Sequence, residues 1–127
     1  MDRVIKCSLV LAVAGLAALS TGCNQLKARD QLNKGVQAFT AAQYPEAVEH
    51  FKTAVELDPG FAAARLYLAT AYMQQYIPGA DSPENNKMAS AAFDNFKKVL
   101  EQEPQNTVAI ASIASLNLNQ KKWDEAQ

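Results

Sequence analysis

Tyr44-Pro45-Glu46-Ala47-Val48-Glu49-His50-Phe51-Lys52-Thr53-Ala54-Val55-Glu56-Leu57-Asp58-Pro59 is the stretch whose reading decides the fold. Ala47, Phe51, Ala54 and Val55 follow one another at helical steps, so they share one face of a helix. Pro59 ends that helix, because proline disfavours helical backbone in the residue before it. A shift of 45 places brings the set back as Ala92, Phe96, Val99, Leu100 and Pro104, with the Ala-x3-Phe spacing kept and Val99 in place of an alanine. A shift of 79 places brings Tyr44-Pro45-Glu46-Ala47 back as Trp123-Asp124-Glu125-Ala126.

The segments in front of these helices repeat as well. Leu32, Gly35 and Phe39 return 34 places on as Leu66, Ala69 and Met73, and a third copy opens at Thr107 with Ile113-Ala114 in the corresponding place. Each copy thus pairs a helix with a small residue in its middle and a second helix built on alanine and a ring. Two antiparallel helices approach closely only where small residues meet, the role expected of Gly35, Ala69 and Ala114 against Ala47, Ala92 and Ala126. Tyr44, Phe51 and Phe96 fill the remaining gaps. The pattern predicts helices near 26–42, 44–57, 60–76, 83–102 and 105–120, with a sixth starting at 123.

A 34-residue period carrying these residues resembles the tetratricopeptide repeat. The resemblance implies an all-α fold, a right-handed superhelical stack of antiparallel helix pairs. Two repeats are complete, at 28–61 and 62–106, and a third at 107–127 is truncated. Gln127 falls about one turn into the sixth helix, so the expectation is an incomplete fragment of a longer repeat protein, or a chain whose missing surface a partner supplies.

The 45-place shift exceeds the 34-residue period by 11 residues, an insertion near 77–87. Pro78-Gly79 reads as a turn, and Ser82-Pro83-Glu84 as a helix cap, a first-turn proline and an acid at the positive helix end. Departures from a repeat are where such proteins carry individuality, so Ile77, Pro78, Asp81, Glu84 and Asn85 are candidates for partner contact. Asp81, Glu84, Asn85 and Asn86 lack the ligand alternation of a calcium loop, and no metal is expected.

In this family the first helix of each repeat lines the concave surface. Carried across, the contact positions are Arg29, Leu32, Val36, Phe39 and Thr40, then Ala63, Leu66, Thr70, Met73 and Gln74, then Val108, Ala111, Ser115, Leu118 and Asn119. The positions where clamp-type members hold a peptide carboxylate with Lys and Asn are here Leu32, Val36, Leu66 and Thr70, so an apolar or amphipathic protein or peptide segment is the expected ligand. Leu32, Phe39, Leu66 and Met73 also read as ordinary interior residues.

Ahead of the repeats, Arg3 and Lys6 precede an apolar stretch from Cys7 to Leu19, and Ser20-Thr21-Gly22 brings small residues to Cys23. That is the layout of a secretory signal over 1–22. The 13 apolar residues fall short of the roughly 20 that span a bilayer. Leu19-Ser20-Thr21-Gly22-Cys23 resembles the lipobox of bacterial lipoproteins, although the family places Leu where Ser20 stands. The resemblance implies lipid on Cys23, a short tether over 23–30, and anchorage to a membrane of the cell envelope on the periplasmic side. Ser20 and Gly22 also suit ordinary signal cleavage, which leaves a soluble periplasmic protein.

Removing Asp2, Arg3 and Lys6 takes the 12 basic residues to 10 and the 13 acidic residues to 12, a net charge of -2. Lys97-Lys98 and Lys121-Lys122 are isolated pairs, so no nucleic-acid partner is expected. His50 is the one histidine. It sits beside Glu46 and Glu49 at a position that ordinarily faces water, and no phosphate loop or catalytic triad accompanies it. The expectation is no enzyme and no cofactor: a membrane-anchored adaptor or scaffold for protein binding, with a structural subunit of an outer-membrane assembly or secretion complex, or the accessory region of a longer protein, as the alternatives.

Overall fold

The computed structural model describes residues 22–126, and the side-chain surroundings of residues 22–121. The signal expected over 1–22 thus lies almost wholly outside the described residues. Among the described residues five helices follow one another: α1 over 22–40, then α2 Tyr44–Leu57, α3 Ala62–Gln75, α4 Pro83–Gln102 and α5 Thr107–Ala126. Among the described residues there is no strand.

Local chemistry sets each boundary. The chain leaves α1 through Ala42, a left-handed residue at φ 59°, and the Gln43 N–H donates back to the Ala38 carbonyl at 2.9 Å. Pro45 sits in the first turn of α2, where its missing N–H costs nothing. Ser82 caps α4 by accepting from the Asn85 N–H at 3.1 Å. Asn106 caps α5 by accepting from the Ala109 N–H at 3.0 Å.

Packing proceeds between neighbours in sequence, α2 on α3, α3 on α4 and α4 on α5. One cluster gathers Ala38, Ala47, Val48, Phe51, Leu68 and Ala71, with Leu32, Val36 and Phe39 against it. A second gathers Ala69, Ala92, Phe96, Val99, Ala109 and Leu116. Tyr72 lies against both. One ring of each second helix is wholly buried, Phe51 in the first cluster and Phe96 in the second. Between clusters, Arg65 Nη1 donates to Asn95 Oδ1 at 3.3 Å, and Gln102 Nε2 to the Pro59 carbonyl at 3.3 Å.

Three expectations change. Residues 23–30, read as a tether, are helical and continuous with α1, and Ala28 is fully buried. No proline interrupts the segment between Gly22 and Thr40, and Gly35 is the one glycine inside it. The sixth helix expected from 123 is not separate, because α5 runs through Ala126 without a break. The segment between Leu116 and Trp123 contains neither proline nor glycine, so nothing local stops the helix there. Ala114, expected at a helix contact, is exposed, and α5 turns Ala109, Ile113 and Leu116 to the second cluster instead. The surroundings of Ala126 lie outside the described residues.

Candidate functional site

Gly35 shows how the first helix pair is built. A Cβ placed there would come within 2.6 Å of Phe51 Cδ1 and 3.1 Å of Phe51 Cζ. Such distances are overlaps, so the ring of α2 occupies the space a side chain on α1 would need. The Phe51 ring is in turn stacked on Tyr67 of α3, with centroids 5.4 Å apart. Phe39 meets Tyr44 edge-on at 5.3 Å and Tyr67 at 6.5 Å. This run of rings links α1, α2 and α3, and Tyr67 leaves 39% of its surface open.

The first helices α1, α3 and α5 carry the row of expected groove positions, and the structure divides them. Leu32, Val36 and Phe39 are half-buried against the first cluster, Leu66 and Met73 against the second. These five are structural as well as accessible. Thr70 is half-buried, and its hydroxyl donates to the Leu66 carbonyl at 2.8 Å. Ser115 is half-buried, whereas Ala111 is exposed and Leu118 is 59% open. Arg29 and Thr40 are also exposed.

The insertion is a closed structure. Asn85, expected from the sequence among the partner contacts, is 7% exposed and therefore withdrawn from a partner. Its Oδ1 accepts from the Ile77 N–H at 2.7 Å, and its Nδ2 donates to the carbonyls of Ile77 at 2.9 Å and Ala80 at 2.7 Å. One amide thus ties both ends of the turn that contains Gly79, at φ 84°. Asn86 Nδ2 donates to Asp81 Oδ1 at 3.2 Å. Ile77, 64% exposed, projects from this frame together with Pro78, Asp81 and Glu84, which are exposed.

Sequence reasoning missed three features. Tyr67 precedes Leu68 in a helix apolar on several faces, so periodicity alone did not select it. A cleft of about 220 Å³ lies where α4's first turns face α2, lined by Pro45, Val48, Lys52, Tyr72, Lys87 and Met88 among others. His50 is half-buried, its Nδ1 2.8 Å from Gln31 Oε1 on α1. Cys23, the expected lipidation site, is exposed in the first turns described for α1. No described helix is long and apolar enough to cross a membrane.

This arrangement defines an all-α helical-repeat protein of the tetratricopeptide type. Residues 38–75, from the end of α1 to the end of α3, match the family model described as tetratricopeptide repeat, so this part of the chain carries a tetratricopeptide repeat. Tetratricopeptide domains typically serve as protein-binding modules. None of the curated proteins compared matches the sequence. Among solved structures, the chain is similar to the Arabidopsis OM64 TPR domain, at 18% identity and a TM-score of 0.42, over 73% of this chain and 96% of that one. It is likewise similar to the first TPR of Spaghetti (RPAP3) bound to the HSP90 peptide SRMEEVD, at 19% identity and a TM-score of 0.41, over 74% of this chain and 93% of that one.

Proposed function

We propose that the chain is a membrane-tethered adaptor of the bacterial cell envelope, which holds a protein or peptide partner along α1, α3 and α5. The observation that carries the reading is the row of side chains on these first helices that belong to neither cluster, the open Thr40, Tyr67 and Leu118 and the half-buried Thr70, set on a stack whose large rings are otherwise consumed by packing. The mixture of aliphatic, aromatic and small polar groups suits an amphipathic segment better than an acidic peptide tail. Support for the tether comes from Leu19-Ser20-Thr21-Gly22-Cys23 and from the exposure of Cys23.

Leu66 and Met73 support the second cluster, so charging them confounds binding with folding. Thr40→Arg with Thr70→Arg and Leu118→Glu alters this row and leaves both clusters alone. Affinity purification from detergent-solubilised envelopes is expected to lose its captured protein with the triple variant, at unchanged helical content by circular dichroism. The same protein recovered in equal yield would count against the row. A fixed stoichiometric complex surviving purification would instead assign a structural subunit. Mass spectrometry of the intact protein against Cys23→Ser checks the lipid, which the reading requires on the wild type alone.

A further inference from the structure

Resting on the tether proposed above, we infer that the stack has no spacer from its anchor and is seated directly on the lipid surface by the first two turns of α1. Cys23 is already helical, and Ala28, five residues on, is fully buried in the stack. At about 1.5 Å rise per residue, the anchoring residue and the first buried one are separated by roughly 8 Å along the axis, comparable with the 5–10 Å depth at which interfacial helices settle. A flexible tether would let the stack float clear; a helix of this length does not.

The surface presented there fits the role. Cys23, Leu26, Lys27 and Asp30 stand at i, i+3, i+4 and i+7, on the side of α1 away from Ala28. Leu26 leaves 73% of its surface open, the most exposed of the large apolar residues described. Lys27 beside it is exposed and offers a cation to anionic headgroups, while Asp30 is engaged by Lys34 at 2.8 Å. Further along the same face Asn33, Lys34 and Gln37 are polar and exposed, so contact ends after two turns and the helix does not lie flat.

The test uses the full-length protein purified from membranes and reconstituted in phosphatidylethanolamine and phosphatidylglycerol vesicles with brominated acyl chains. Trp123 is changed to Phe, and a single reporter is placed by Leu26→Trp or, as the control in the α4–α5 turn, by Gln105→Trp. Emission from position 26 is expected to fall about twofold on bromolipids, as for a ring at interfacial depth, and that from position 105 to stay unchanged. Inserting about twelve Gly-Ser residues after Cys23, a flexible coil, should abolish the quenching while the protein stays vesicle-bound. Protein that is vesicle-bound but unquenched at 26, or quenched equally with the insertion, overturns the seating and leaves the tether standing. Protein released from membranes by carbonate overturns both.

Discussion

Gly35 is the position at which one atom decides whether the first helix pair closes. Glycine in a helix interior is ordinarily worse than alanine by about 1 kcal/mol, so Gly35→Ala on an open helix would stabilise. Here the added Cβ meets the Phe51 ring, and that ring is wholly buried against Tyr67 and has no free direction in which to yield. Overpacking costs about 1–3 kcal/mol, which exceeds the propensity gain. Urea denaturation should therefore show Gly35→Ala less stable than wild type, with Phe51→Leu in the same chain recovering part of the loss; a stabilised single variant would mean that the helices separate readily. Asn85 poses the complementary case of a polar group that must be buried. Asn85→Ala strands the Ile77 N–H and leaves two carbonyls without their donor, at about 1–3 kcal/mol for each group that water cannot reach. Asn85→Asp keeps an acceptor for the Ile77 N–H but turns a carboxylate toward the two carbonyls. Amide hydrogen exchange at Ile77 should accelerate in both, more in Asp, and equal rates in all three proteins would show that the turn holds without its amide.

At the scale of elements, legibility followed the range of the signals. Helix α2 and helix α4 have the bounds expected of them, because Pro45, Pro59, Ser82 and Pro83 act on their immediate neighbours. The burial of Phe51, Phe96, Ala47 and Ala92 was likewise readable, since a ring recurring in step with alanines has a single packing solution. The Asn85 frame was not: its partners are five and eight residues away across a turn, and asparagine in a first helical turn carries no mark that separates a buried amide from a solvated one. Nor was it legible which of the expected groove positions also close the core, because Leu66 and Leu118 have the same side chain and differ only in what packs against them. Helix α5 departs furthest from expectation and rests chiefly on α4. Its hold on the second cluster is Ala109, Ile113 and Leu116, of which only Leu116 is a large side chain that is fully buried. Leu116→Ala should cost about 2–5 kcal/mol locally, and hydrogen exchange should then release α5 while α2 and α3 stay protected. Uniform loss of protection along the chain would show that α5 is coupled to the stack more tightly than this contact set implies.

For the molecule as a whole, stability in a repeat stack is set by each unit and by its coupling to the next. Phe51 and Phe96 anchor two clusters that do not share a fully buried residue, and Tyr72 of α3 is the side chain in contact with both. The Arg65–Asn95 bond and the reach of Gln102 to Pro59 join α4 to the earlier segment, but hydrogen bonds of this kind contribute about 0.5–1.5 kcal/mol net and are partly open to water. Tyr72 is therefore the side chain expected to carry apolar coupling between the two clusters. Tyr72→Ala removes the ring from both clusters at once, and the loss of coupling should exceed the loss within either. Hydrogen exchange in rising urea gives the measurement: in the wild type the most protected amides of α2 and α4 should reach their midpoints together, and in the variant they should part, with a shallower overall transition because less surface is exposed in each step. Tyr76→Ala, at a ring packed against the second cluster alone, serves as the comparison and should lower stability without separating the two halves. Midpoints that stay coincident in Tyr72→Ala would place the coupling in the helix backbones themselves, and the two clusters would then have to be treated as a single core.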